Sequence, residues 1–454
     1  MNLSRRDAVA TMLAAAAMPS AALAQDGMRA LTDAYNASGQ DLFRSLAAES
    51  GNKPGNIVIS PYSIGTAMAM VLAGARGETE REMAAALRHS RGRQEIQEIS
   101  RQAIADSNAK VLATLNGYDR SRVAPLCPEG MRLAGERCEM ERSIDARCPP
   151  RTRSDEGFCF ATPQPLPSAK VAVANALMLT RTDAPVTSDY IAFVKDKFAA
   201  ELFQDAGLAE INDFVAAKTE GKIEHILDQL EDNAAAVLLN AVYFKAAWAS
   251  TFSTHDTHDE PFSLSASQRV SVPMMHKRAI VPLVARGGYR AVRLPYVIDK
   301  IGMVVVLPDA VDGLAAVGAQ LDATELSALF AALHADEPKA LSLALPRFKV
   351  TYKADLVPLF RAAGMTLAFD RVRADFSGMT AARAPFAIGQ IAHRAIIEVE
   401  EEGTEAAAAT AAVMVLTSAP INQGSFLVDR PFLYYVVDHA TGAILFQGRV
   451  VDPR

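Results

Sequence analysis

The stretch 400-EEEGTEAAAATAAVMVLTSAP-420 decides how the whole chain is read. Ala has the best helix propensity, so Glu405 to Val415 taken alone reads as a short helix. Yet the stretch leaves through Thr-Ser-Ala-Pro, and β-like runs flank it at 393-HRAIIEVE-400 and from Phe426 onward. Read as a strand, its side chains alternate between two faces. With Thr404 inward, the inward set is Thr404, Ala406, Ala408, Thr410, Ala412 and Met414, all small but the last. Glu405, Ala407 and Ala409 then take the outward face, where a charge stays hydrated. A charged or bulky inward residue would be buried at a real cost. Gly403 supplies backbone freedom at the entry. A segment so composed can enter a packed sheet with little rearrangement.

On its C-terminal side, 426-FLVDRPFLYYVVDHATGAILFQGRVVDP-453 holds strong strands, with a tight hairpin turn from Asp438 to Gly442. Earlier strand-like runs are 170–181, 235–248, 270–275, 290–296, 301–308 and 340–352. Helical periodicity marks residues 28–50, 78–90, 94–116, 188–202 and the start of 209–227. In 56-NIVISPYSIGTAMAMVLAGARG-77 a short strand is broken by Pro61 and continues as an apolar helix, with Ser63 placed where a cap belongs. Helices gather early and strands late, which points to an α+β fold with large sheets.

The 454 residues are 50% hydrophobic and 22% charged, an ordinary globular composition. A net charge of −6 argues against a nucleic-acid surface. No long apolar run beyond the N-terminus predicts a membrane span. Residues 1–24 read as an export signal: a basic start at Arg5-Arg6, an Ala-rich core and an Ala22-Leu-Ala24 cleavage site. The Ser-Arg-Arg-Asp order resembles a twin-arginine signal, so the mature chain is expected from residue 25, in the periplasm or outside the cell. The cysteines, Cys127, Cys138, Cys148 and Cys159, all lie in an Arg-, Glu-, Pro- and Gly-rich segment from 117 to 168. An even number in an exported chain argues for disulfides. Two units, 127-CPEGMRLAGERC-138 and 148-CPPRTRSDEGFC-159, repeat the same spacing. Local closure as Cys127–Cys138 and Cys148–Cys159 is therefore preferred, with two other connectivities open. The segment reads as a disulfide-stapled insert too small to bury a core of its own.

Enzyme signatures are missing from the sequence. There is no phosphate loop ending in Gly-Lys-Ser/Thr, no G-x-S-x-G elbow and no H-E-x-x-H. His255-Asp-Thr-His258-Asp reads as a solvated loop, because its spacing suggests no third metal ligand. No metal, cofactor or catalytic residue is expected.

Several ordered segments resemble the serpin family. They are Asn56-Ile-Val-Ile-Ser60-Pro61-Tyr-Ser63-Ile, Gly77-Glu78-Thr79, Ile211-Asn212 to Thr219-Glu-Gly221-Lys222-Ile223, and Asn240-Ala-Val-Tyr243-Phe244-Lys245 to Trp248 and Phe252. Asp375-Phe376-Ser377-Gly378-Met379 and Phe426-Leu-Val-Asp429-Arg430-Pro431-Phe432 continue the series. Phe214 stands where the family usually has Trp, and the Cys-rich insert replaces a short link. The resemblance runs from about residue 28 to the end. It implies three β-sheets, about eight or nine helices and an exposed reactive loop in one domain from 25 to 454. It also implies a monomer prone to loop-sheet polymers, and a suicide-substrate inhibitor of an extracytoplasmic protease. The protease cleaves the loop, is trapped as an acyl-enzyme, and the loop enters the central sheet. Inhibition of a papain-like cysteine protease, or a non-inhibitory binding protein of the same fold, are the alternatives.

Carried onto this chain, the hinge is Glu401, Gly403, Thr404, Glu405, Ala406, Ala407, Ala408, Ala409 and Thr410. Counting from Glu401 as the family does places the scissile bond at Thr417–Ser418, with Leu416, Val415 and Met414 as neighbouring specificity positions. Ser60, Ser63, Asn240 and His393 match the family's shutter network, and Trp248 its breach tryptophan. No Lys or Arg lies between Thr404 and Asp429, which disfavours a trypsin-like target. Elastase-like, chymotrypsin-like and subtilisin-like proteases remain.

Overall fold

The computed structural model describes residues 20–49, 55–89, 101–120, 127, 131–135, 137–141, 148, 153–155, 158–163, 167–179, 186–229, 236–380, 386–404 and 424–454. Nine α-helices occur among them: α1 (Ser20–Glu49), α2 (Pro61–Gly74), α3 (Gly77–Ala86), α4 (Arg101–Asn116), α5 (Ser188–Phe198), α6 (Leu208–Lys218), α7 (Leu314–Gln320), α8 (Ala323–Ala335) and α9 (Val357–Ala362).

One six-stranded sheet holds β1 (Ile57–Ile59), β20 (Ile444–Val450), β19 (Phe432–Asp438), β13 (Ile301–Pro308), β12 (Tyr289–Pro295) and β11 (Leu283–Arg286), in that order. A four-stranded sheet holds β18 (Gly424–Leu427), β14 (Lys339–Pro346), β10 (Arg269–Val281) and β9 (Thr257–Ser263). The central sheet runs β15 (Phe348–Asp355), β16 (Ile388–Val399), β17 (Gly403–Thr404), β8 (Ala236–Ala247), β6 (Ala169–Leu179) and β7 (Glu201–Gln204). These three sheets form the α+β body.

The central sheet is covered on both faces, which explains why β8 reads as an unbroken apolar run rather than an alternating one. Its Val242, Phe244 and Ala246 enter the main core. Val237, Leu239 and Ala241 join a second core with Ile211 and Val215 of α6. Helix α2 is buried along nearly its whole length beneath the sheet. Its cap is Ser60, not Ser63: the Ser60 side chain accepts the Ser63 N–H at 3.2 Å. Pro61 opens the helix instead of breaking the segment, because the first turn needs no partner for the missing N–H.

Two runs divide differently from the sequence reading. Residues 340–352 split at Pro346-Arg347 into β14 and β15, which belong to different sheets. Residues 188–202 end their helix at Phe198, where Ala199 takes a left-handed φ of 48° and the chain passes into β7. After α6, residues 219–229 run through turns and bends.

The Cys-rich segment carries a sheet of its own: β2 (Arg132–Ala134), β3 (Arg137–Glu141), β5 (Phe158–Ala161) and β4 (Arg153–Asp155). Cys127–Cys138 and Cys148–Cys159 are the disulfides. Cys138 and Cys159 are fully buried, and the Arg137 guanidinium lies 4.2 Å from the centre of the Phe160 ring. The insert leaves and returns at one place, where the Ala169 N–H donates to the Tyr118 carbonyl at 3.1 Å.

Candidate functional site: the split in the central sheet

Among the strand pairs of the central sheet, β8 and β16 run parallel and register from Ile388 beside Ala236 to Ile396 beside Tyr243. Beyond that point they part. The chain leaving β16 turns back through Glu400–Glu402, and Gly403–Thr404 wedge between the two strands, antiparallel to both. Thr404 faces Val399 on one side and Ala246 on the other. Its side chain is fully buried on the inner face, where the hydroxyl shares a 2.6 Å hydrogen bond with the Tyr296 hydroxyl. Gly403 is required by space: a Cβ there would overlap the Ala246 carbonyl oxygen and the Ala247 Cα. The pivot is therefore a close backbone approach as well as a point of freedom.

The turn is gripped from the β8 side. The Trp248 indole N–H donates to the Glu400 carbonyl at 3.0 Å, and the Trp248 and Phe252 backbone N–H groups donate to Glu402 and Glu401 carbonyls at 2.9 and 2.8 Å. The indole stacks on Tyr296 with centroids 4.5 Å apart and planes 9° apart. Glu401 is buried, yet fully answered. Arg347 clamps both its carboxylate oxygens, with Nε at 2.8 Å from each, and the Thr257 hydroxyl donates at 2.6 Å. Burial alone would raise this carboxyl; the hydrogen bonds from Arg347 and Thr257 outweigh it and hold the group below the usual carboxylate range. Lys277 lies over the Phe252 ring at 4.1 Å, and burial pulls its ammonium down to about 7.

A second polar cluster sits further down the β8–β16 seam. Asn240 and His393 are direct partners across it. His393 Nδ1 lies 2.6 Å from Asn240 Oδ1. Asn240 Nδ2 donates to Ser63 Oγ and to Asn175 Oδ1, both at 2.6 Å. Since the amide spends its donors on those two, the His393 Nδ1 carries the proton that meets Oδ1. Burial lowers the imidazole to about 3, so the ring is neutral.

Of the residues singled out from sequence, the structure brings Ser63, Asn240 and His393 into one network, and Trp248, Glu401, Gly403 and Thr404 into another. Ser60 serves the α2 cap beside the first network, without a bond to Asn240. Glu405, Ala406, Ala407, Ala408, Ala409 and Thr410, with Met414, Val415, Leu416, Thr417 and Ser418, lie outside the described residues. Sequence reasoning missed Asn175, Tyr296, Arg347 and Thr257. Only Asn175 left a signal, a polar residue in the middle of the apolar run 170-KVAVANALMLTR-181.

Comparison with known proteins gives this fold a family. The family model described as Serpin (serine protease inhibitor) matches residues 33–131 and 151–453, and the unmatched interval falls inside the Cys-rich insert. The chain belongs to the serpin family. It is 30% identical over 444 residues to leukocyte elastase inhibitor of Sus scrofa, covering 94% of this chain and 100% of that one. It is 29% identical over 415 residues to a serine protease inhibitor of Cyanea capillata, covering 90% and 95%. The crystal structure of human thyroxine-binding globulin shares the fold with a TM-score of 0.73, at 22% identity over 94% of this chain and 99% of that one.

Proposed function

We propose that this protein is an irreversible suicide-substrate inhibitor of an extracytoplasmic serine protease, working by loop cleavage, acyl-enzyme trapping and loop insertion. The observation that carries this reading is the antiparallel wedge of Gly403–Thr404 between the parallel strands β8 and β16. A parallel pair so opened offers each strand's backbone groups to an antiparallel newcomer. Continued in the register of β17, the loop sequence would place Ala406, Ala408, Thr410, Ala412 and Met414 on the inner face. Thr410 would then come opposite both Asn240 and His393. An intact loop is tethered at both ends, by β17 and by β18, so full insertion would pull against both tethers. Cleavage near Thr417–Ser418 frees one end, and insertion drags a covalently attached protease with it.

Target class rests on the loop sequence. With no basic residue between Thr404 and Asp429, elastase-like, chymotrypsin-like or subtilisin-like enzymes fit best, with Leu416, Val415 or Met414 offered if the register differs. The export-like start at residues 1–24 and the two disulfides support a periplasmic or extracellular setting. The test is incubation with elastase, chymotrypsin, subtilisin and papain, followed by denaturing gels. A covalent complex with a serine protease is expected. A complex with papain alone would reassign the target to cysteine proteases, and clean loop cleavage without any complex would overturn inhibition.

One observation favours a non-inhibitory binding reading as the second choice. A mainly apolar cavity of about 790 Å³ opens between α1, α7 and β19, lined by Phe43, Ala47, Leu264, Leu314 and Leu433 among others. Its size is that of a small-molecule site, and the gel assay separates the two readings.

A further inference from the structure

Strands β9 and β10 bring together three side chains that no loop-insertion step uses. His258 and Glu260 stand two residues apart on β9 and so share a face. Met274 of β10 lies opposite His258, which puts His276, two residues further on, on the same face and diagonal to it. His258 Nε2 lies 2.8 Å from Glu260 Oε1, and His276 Nε2 lies 3.0 Å from the same oxygen. The two imidazoles are stacked, with centroids 4.7 Å apart and planes 6° apart. The buried Nε2 of His276 makes no aligned hydrogen bond among the described residues. All three ligand atoms lie within 4.8 Å of one another.

We propose that His258, Glu260 and His276 form a binding site for a divalent transition-metal ion of the zinc class. Two imidazoles and one carboxylate are a donor set that suits Zn2+, and ions of this class favour imidazole nitrogen over all-oxygen cages. Bonds of about 2.0 Å to a tetrahedral ion put neighbouring ligand atoms roughly 3.3 Å apart. The two nitrogen–oxygen separations are already close to that spacing, so small side-chain adjustments complete it. Water fills the fourth position. The sequence spacing could not show this site: His255 takes no part, and the third ligand comes from the neighbouring strand.

Its place gives the ion a consequence. Thr257, next to His258 in β9, donates its hydroxyl to Glu401 at the turn into the hinge. An ion bridging β9 to β10 fixes the strand that presents that hydroxyl. Metal binding should therefore stabilise the native hinge.

The test is titration of the tag-free full chain, chelator-stripped, with ZnCl2 by calorimetry and with CoCl2 by visible absorption. Expected are one Zn2+ per chain, a tetrahedral Co2+ band with nitrogen ligation, and a rise in Tm of about 3 °C at a hundredfold excess over Kd. His258→Gln changes an exposed side chain, so the fold is kept. It and Glu260→Gln should each weaken binding at least tenfold, while His255→Gln leaves it unchanged. No Co2+ band in the folded wild type overturns the site. So does equal affinity in His258→Gln, or a loss of binding in His255→Gln as large as in His258→Gln.

Discussion

At the scale of single residues, His393 and Asn240 carry the seam of the central sheet. The imidazole donates to an amide oxygen that has no other described donor, and replacing it by Ala leaves that oxygen buried and unanswered. The cost is about 1–3 kcal/mol for the orphaned acceptor, with a cavity added to it. His393→Ala should lower Tm and, on mild heating, yield ladders of loop-sheet polymers on native gels. A variant as heat-stable as the parent and still monomeric would refute this role. The pH dependence has a definite sign. The folded pKa of His393 is pushed down to about 3 by burial. Below the ordinary histidine pKa the unfolded chain takes up a proton that the fold refuses. Stability therefore falls as pH drops from about 6.5 toward 3, by up to about 1.4 kcal/mol per pH unit. Unfolding curves between pH 6.5 and 4 should be flatter in His393→Ala by that slope. His89, lowered to about 4 by burial, gives the same trend in both proteins.

At the scale of elements, the decisive one is β17, only two residues long. It is held by backbone pairing on both sides and by the Thr404–Tyr296 hydrogen bond. Small inward side chains are what would let the rest of the loop follow it in the proposed insertion. Thr404→Arg would bring a guanidinium into a fully buried position beside Tyr296, Ala246 and Val399. Burying an unpaired charge there costs several kcal/mol, so the substitution would expel β17 from the native sheet, and insertion, which must bury that position again, would be slowed relative to deacylation. The variant should be cleaved at the loop yet form little covalent complex, a change from inhibitor to substrate readable on a denaturing gel. A full yield of complex from Thr404→Arg would show that trapping does not require position 404 to be held in the sheet. Helix α2 and strands β6 and β8 were legible as apolar runs. The breaks at Pro346 and Ala199 were not, because each depends on which sheet captures the chain after the break.

At the scale of the whole molecule, the proposed loop insertion would draw on free energy held in the native sheet, where β8 and β16 pair directly with each other below β17. Insertion would add about ten or more backbone hydrogen bonds, each worth roughly 0.5–1.5 kcal/mol net, or on the order of 10 kcal/mol. Unfolding entropy is about 2.1 cal/mol/K per residue, so for a chain this long about 1 kcal/mol corresponds to about 1 °C. Nicking the loop between residues 405 and 423 should thus raise Tm by about 10 °C or more, measured by calorimetry before and after cleavage. A Tm that falls or stays put after cleavage would remove the energetic basis for trapping. The two ends of the insert meet beside Tyr118 and Ala169, and its disulfides close within it.

By itself the sequence determined the family, the parity of the hinge and the order of the elements. Those properties are local or periodic: alternation in a strand, small residues in a run, motifs spaced along one segment. Thr404 facing inward, with its even-numbered successors small, is such a property. Tertiary structure alone decided what meets across distance. Arg347 finds Glu401 because β14 and β15 part at Pro346; Asn175 joins Asn240 because β6 and β8 pair in one register. His276 reaches His258 and Glu260 only because β10 lies beside β9. A charge clamp, a seam lock and a ligand set each join residues far apart in the chain, and strand register, which is fixed only when sheets pack, is what brings them within bonding range.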